Sequence, residues 1–275
     1  MKHFKYMLTM VFLLGLTTAA YSQKTKKPDA FKTLKTIING SWCQADYIQD
    51  LYDTKSPVRS QNKLKPIVLM NINTKSIKNN KLETDAQSIH EGGSFNIDFK
   101  KKALTANAVS TDITDYDHLK EGGYFYELGF VLSSIEPGTV DTSLVLYHYN
   151  NKKILIDETN YLKSFTGEYD ALQYMVAKTL IAGNYKGVDD AGKPLQLTFT
   201  NSGMVKGLAG IKKYCVLTDF VAQFGKGMDE ICFDVQTPNQ ICYGFEINGD
   251  TLKLYAVKND KKGELKYTLT KQPVK

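Results

Sequence analysis

The sequence predicts an all-β protein: two tandem small antiparallel up-and-down β-barrels, each preceded by a short plug helix. Three observations predict it. Leu34-Lys35-Thr36-Ile37-Ile38-Asn39-Gly40-Ser41-Trp42 returns in kind as Ala177-Lys178-Thr179-Leu180-Ile181-Ala182-Gly183-Asn184-Tyr185. In each copy an apolar helical turn ends at a glycine, and an aromatic residue then opens a strand. A second echo, Asp141-Thr142-Ser143-Leu144-Val145-Leu146-Tyr147 against Asp250-Thr251-Leu252-Lys253-Leu254-Tyr255, falls late in each half. Finally, turn signals such as Asn201-Ser202-Gly203 and Asn248-Gly249-Asp250 break the C-terminal half into short runs. Their spacing of roughly ten residues is that of a sandwich or barrel.

The chain is expected to begin with an export signal. Lys2, His3 and Lys5 form a basic start, and Met7 to Leu16 is apolar. That run is shorter than the ~20 residues a bilayer span needs. Ala20-Tyr21-Ser22 carries small residues where a signal peptidase reads, so cleavage is expected after Ser22. Residues 1–22 are therefore read as a signal peptide, and the mature protein as periplasmic or secreted. No cysteine follows the apolar run to carry a lipid anchor, and no later stretch is long and apolar enough for a membrane span. The net charge of +6 comes almost wholly from lysine, Arg59 being the only arginine. Lysines interleaved with acids read as a solvated surface, whereas nucleic-acid readers use arginine forks, so no nucleic-acid partner is expected.

Asp29 can cap a first helix expected to run to about Asn39, and Trp42 is expected to open the first strand. Asp46 to Asp53 is helical, with Tyr47, Ile48, Leu51 and Tyr52 on one side, and Thr54-Lys55-Ser56-Pro57 stops it. Strand-like runs follow at Pro66–Ile72, Phe95–Phe99, Tyr124–Leu132, Ser143–Tyr149 and Lys153–Asp157. Ser164 to Leu180 serves as linker and second plug helix, which divides the mature chain into modules at 23–163 and 164–275. The second module shows eight runs, beginning near Asn184, Pro194, Met204, Lys212, Glu230, Ile241, Thr251 and Glu264. No helical pattern separates them, so an antiparallel meander is expected.

A short helix, then Gly-x-Trp, then eight meandering strands resembles the lipocalins and the wider calycin group. Gly40-Ser41-Trp42 carries the motif, Gly183-Asn184-Tyr185 repeats it with tyrosine, and Thr218-Asp219-Phe220 is close to the family's later Thr-Asp-Tyr. The helix after the first strand resembles the lid of fatty-acid-binding proteins. Thr54-Lys55-Ser56-Pro57 and His90-Glu91-Gly92 look like those of exported bacterial lipocalin-like proteins. The resemblance implies a small lipophilic or amphipathic ligand in a barrel, with Trp42, Tyr47, Arg59 and His90 among its contacts.

The residues support that expectation at one place. Ile89-His90-Glu91-Gly92-Gly93-Ser94-Phe95 resembles Leu119-Lys120-Glu121-Gly122-Gly123-Tyr124-Phe125. On one reading both loops stand at one barrel mouth and offer His90, Glu91, Glu121 and Tyr124 to a ligand; on the other they are tight turns facing water. A structural or interaction protein with filled barrels remains the alternative function. His90, His118 and His148 are not spaced as metal ligands, and no nucleophile elbow, Walker loop or zinc-protease motif occurs. No metal, no cofactor and no enzymatic activity are expected.

Cys43, Cys215, Cys232 and Cys242 include no Cys-x-x-Cys. Ile231, Phe233 and Val235 share one strand face, and Ile241, Tyr243, Phe245 and Ile247 another. Cys232 and Cys242 therefore lie together on the opposite, outer face, and pairing Ile231 with Tyr243 sets them directly opposite. A Cys232–Cys242 bridge is expected, with Cys215–Cys232 as the competing pairing.

Overall fold

The computed structural model describes residues 30–113, 123–136, 139–164, 171–220 and 227–273. The signal-peptide expectation and Glu121 lie outside them. Helix α1 (Ala30–Ile38) leads into β1 (Gly40–Gln44). Helices α2 (Ala45–Thr54) and α3 (Pro57–Ser60) follow. The remaining strands of the first half are β2 (Leu69–Ile72), β3 (Lys81–Gln87), β4 (Gly92–Asp98), β5 (Ala108–Thr111), β6 (Phe125–Glu136), β7 (Thr139–Tyr149) and β8 (Leu155–Lys163). They close in sequence order into an antiparallel barrel, β1 pairing β8 with Cys43 opposite Leu162.

Strands β3 and β5 have no counterpart in the sequence reading. Strand β3 is Lys-Leu-Glu-Thr-Asp-Ala-Gln, and Leu82 is its one large apolar residue. Thr84 and Ala86 share Leu82's face, so the period of two is present but poorly marked by hydrophobicity. Strand β5 has only four residues.

The second half repeats this plan. Helix α4 (Ala171–Leu180) precedes β9 (Gly183–Asp189), β10 (Pro194–Phe199), β11 (Val205–Lys206), β12 (Tyr214–Val216), β13 (Glu230–Phe233), β14 (Ile241–Asn248), β15 (Thr251–Lys258) and β16 (Lys261–Lys271). Their sheet order is β11-β10-β9-β16-β15-β14-β13-β12, so the first strand again pairs with the last, Gly187 opposite Leu269. This is the cyclic order of the first half, interrupted at one seam. There β11 and β12 meet at the single bridge Met204–Lys213, flanked by Val205 N–H donating to Lys212 O (2.9 Å) and Tyr214 N–H to Gly203 O (2.7 Å). The second echo in the sequence falls on the seventh strand of each half, β7 and β15.

The two openings are alike in hydrogen bonding as well as in sequence. Gly40 and Gly183 both take positive φ, 129° and 152°, values that favour glycine. Two residues later Trp42 Nε1 donates to Ile38 O at 2.8 Å, and Tyr185 Oη donates to Ile181 O at 2.7 Å.

Two cores result. One fills the first barrel: Leu34 and Ile38 of α1 meet Trp42, Met70, Leu82, Ile97, Leu128 and Leu144, all buried. The other does not respect the boundary near Ser164. It joins the interior of the second sheet and α4 to Cys43, Tyr47, Ile48, Leu51, Val68 and Leu69 of the first half. Helix α2 is therefore no lid over a cavity: Tyr47, Ile48 and Leu51 bury its apolar face between the halves. A polar tie reinforces the junction. Asp229 Oδ1 accepts from Val58 N–H (2.8 Å) at the start of α3, where Ser56 Oγ accepts from Arg59 N–H (3.1 Å).

Candidate functional site

The barrel has one end plugged and one end free of the plug. Helix α1 packs into the end where β1 begins. At the other end lie the finish of β3, the start of β4, the residues after β5, the start of β6 and the finish of β7. A cavity of about 320 Å³ opens there. Its apolar lining includes Ile67, Ala86, Phe95 and Ile113, and its polar rim includes Ser88, Glu91 and Asp112.

The loop between β3 and β4 shapes this mouth. Ser88 N–H donates to Glu91 O (2.8 Å), while Ser88 Oγ accepts from Glu91 N–H (2.8 Å) and His90 N–H (3.2 Å). Gly92 and Gly93 then open β4. A Cβ at either glycine would meet nothing within 4 Å, so their lack of side chains leaves open space at the entrance. Gly93 pairs with Ala86, and two steps deeper Phe95 pairs with Thr84. The Thr84 side chain is fully buried, and its Oγ1 has no hydrogen-bond partner among the described residues. An unpaired buried hydroxyl is costly, and it lies in the barrel interior two residues deeper along β3 than Ala86 of the cavity lining.

Aromatic rings occupy the same end on the opposite wall. Tyr126 stacks on His148 with ring centroids 4.2 Å apart and planes 4° apart, and Tyr124 leans on His148 at 5.6 Å. Tyr161 is fully buried and donates from Oη to Ile67 O at 2.8 Å. Burial, and then the neighbouring Tyr126, push its phenol well above the ordinary value, so it stays a neutral donor.

The residues singled out from sequence disperse. Glu91 lines the mouth, and Tyr124 stands at the same end. His90, from the same loop, turns instead to the second half, where its Nδ1 lies 2.8 Å from Asp219 Oδ2. Trp42 is fully buried beside the plug helix, at the far end of the barrel from this mouth. Tyr47 is fully buried between the halves, and burial, then Asp229, push its phenol upward. Arg59 donates from Nη2 to Thr54 O and lines a separate cleft of about 650 Å³. That cleft runs between Lys55–Arg59 and the second sheet, with Asp229, Glu246 and Lys262 on its other wall. Burial raises the Asp229 carboxyl, although Ser56, Val58 N–H and Arg59 oppose the shift. Two of the cleft's charges pair with each other: Glu246 Oε1 takes Lys262 Nζ, and Glu246 Oε2 accepts from Tyr255 Oη (3.0 Å).

The sequence reading missed Ala86 at the mouth and the Tyr126–His148 stack at the same end of the barrel. Only a pairing of β3 with β4 could have pointed to Ala86, and β3 was not legible as a strand.

Cys232 and Cys242 form a disulfide, with Cα atoms 4.0 Å apart and Ile231 opposite Tyr243. Their face of the sheet is not bare, however: Cys232 is 1% exposed. Among the described residues no helix is long and apolar enough to cross a membrane. The chain matches no protein-family model, no curated protein and no solved structure.

Proposed function

We propose that this is an exported, calycin-like binding protein that takes a small amphipathic molecule at the unplugged mouth of its first barrel. The observation that carries the reading is the cavity of about 320 Å³ beside Gly92 and Gly93, with Ile67, Ala86, Phe95 and Ile113 as its apolar lining and Ser88, Glu91 and Asp112 at its rim. That volume is at the low end for ligand pockets. The barrel below it is filled by Met70, Leu82, Ile97, Leu128 and Trp42. A long acyl chain therefore has no room along the axis. A compact ligand with an apolar body and a polar head fits better, its body against Phe95 and Ile113 and its head toward the Ser88 and Glu91 rim. The filled lower barrel also favours the second reading, an envelope interaction protein with no small ligand.

Native mass spectrometry of the exported protein separates the two, with Gly93→Leu as control. Gly93 does not take positive φ, and its Cβ would meet open space, so the substitution should fold. The expected result is a co-purifying mass on the wild type that is absent from Gly93→Leu. A wild type that flies without adduct, and gains none from a panel of small amphiphiles, would favour the interaction protein.

A further inference from the structure

Three cysteines stand side by side across three strands. Cys215 of β12 pairs directly with Cys232 of β13, and Cys232 pairs directly with Cys242 of β14. Residues opposite one another in an antiparallel pair project from the same face. All three sulfur-bearing side chains therefore leave the sheet on one side, with Cys232 in the middle. The disulfide joins Cys232 to Cys242, and Cys215 is a free thiol.

We infer that Cys215, Cys232 and Cys242 form a thiol–disulfide exchange row, in which the bridge moves between Cys232–Cys242 and Cys215–Cys232. Exchange requires a thiolate to approach a disulfide sulfur from the side away from the leaving sulfur. The row supplies that order, with attacker, central sulfur and leaving sulfur on successive strands. The Cys215–Cys232 pair also meets the backbone distance a disulfide needs. Leu217 N–H donates to Glu230 O and Asp234 N–H to Lys213 O, so Cys215 and Cys232 are a hydrogen-bonded pair. Such pairs have Cα atoms ~5.5 Å apart, in the middle of the disulfide range.

The step is balanced without an outside oxidant. Cys215 loses its thiol proton, and its sulfur bonds to Cys232 Sγ. The Cys232–Cys242 bond breaks, its electron pair stays on Cys242 Sγ, and that sulfur takes up a proton. Two groups beside Cys242 serve its departure. Gln240 Nε2 lies 3.9 Å from Cys242 Sγ as a donor to the released thiolate. The Glu230 carboxyl lies within 4.8 Å of the sulfurs of Cys232 and Cys242 and can hand over the proton. Glu230 is 2% exposed, and its Oε1 has no partner among the described residues. Burial, and then Asp260, push it up to about 7, so near neutral pH it exists in both proton-carrying and proton-free forms. Burial raises the Cys215 thiol, against a backbone N–H of Cys232 that lowers it, which keeps exchange slow at neutral pH. The consequence is a choice of which thiol the surface presents: Cys215 in one isomer, Cys242 in the other.

The test uses the full oxidised chain, held at about pH 8 so that thiolate forms, with iodoacetamide dilute enough that alkylation is slower than exchange. Samples are digested without reduction and mapped. Label should appear on Cys215 and, increasingly with time, on Cys242 together with a linked Cys215–Cys232 peptide. In Cys215→Ser, Cys242 should stay unlabelled throughout. In Cys242→Ser, air oxidation should link Cys215 to Cys232 nearly completely. Label confined to Cys215 in the wild type at all times would overturn the inference, and that time course decides it even if Cys242→Ser fails to fold.

Discussion

Trp42 donates from its indole Nε1 to the carbonyl oxygen of Ile38, four residues before it, at 2.8 Å. Tyr185 repeats the bond from its phenol to Ile181 O at 2.7 Å. In both halves the helix ends at a carbonyl that the first strand's aromatic satisfies, with a positive-φ glycine between them. Two different aromatic residues thus do one job in one frame, which ties the two halves more closely than their sequence likeness alone.

The bond makes a paired prediction. Trp42→Phe and Tyr185→Phe each leave a helix-end carbonyl without its donor in a buried site. Each should lower stability by ~1–3 kcal/mol, read from urea unfolding midpoints. Trp42→Ala empties a fully buried site and should cost ~3–5 kcal/mol. A loss under ~1 kcal/mol for Trp42→Ala would contradict its placement in the barrel core.

Leu51 tests whether the halves share a core. It is fully buried, in the cluster that spans both. Leu51→Ala should cost ~2–5 kcal/mol, and far- and near-ultraviolet circular dichroism should fall in one earlier transition. Two separated transitions, with only the first half shifted, would show that α2 does not bind the halves together.

Reducing the Cys232–Cys242 bridge removes a constraint across a sequence separation of 10 residues. A loop of this length gives ~3 kcal/mol in the chain-entropy treatment. Calorimetry with and without a dithiol reductant should show a lower midpoint for the reduced protein. Equal midpoints would mean that the bridge adds nothing to the packing already present on β13 and β14.

Glu230 gives stability a pH dependence with a definite sign. Its folded value is raised to about 7 from an ordinary 4.5, so the folded state favours the protonated acid. The stabilising contribution is complete below about 4.5 and is lost as pH rises through about 7. Asp229, also raised by burial, acts in the same direction. Wild-type urea midpoints should therefore decline across that interval more steeply than those of Glu230→Gln. Parallel curves for the two proteins would show that Glu230 titrates normally.

Much of the plan was already written in local pattern. The Gly40 and Gly183 openings, the eight strands of the second half and the facing of Cys232 with Cys242 all follow from periodicity and turn chemistry, which act over a few residues. Strand β3 escaped notice because Glu83, Thr84 and Asp85 mask its alternation, and with it went the inner wall of the mouth. What the tertiary structure alone decided is long-range. His90 meets Asp219 across 129 positions and Val58 meets Asp229 across 171. Helix α2 became a wedge because the second half offered its apolar face a partner, and the second sheet's outer strands meet only at the Met204–Lys213 bridge. No period in the chain encodes such meetings, since they depend on how two finished surfaces fit.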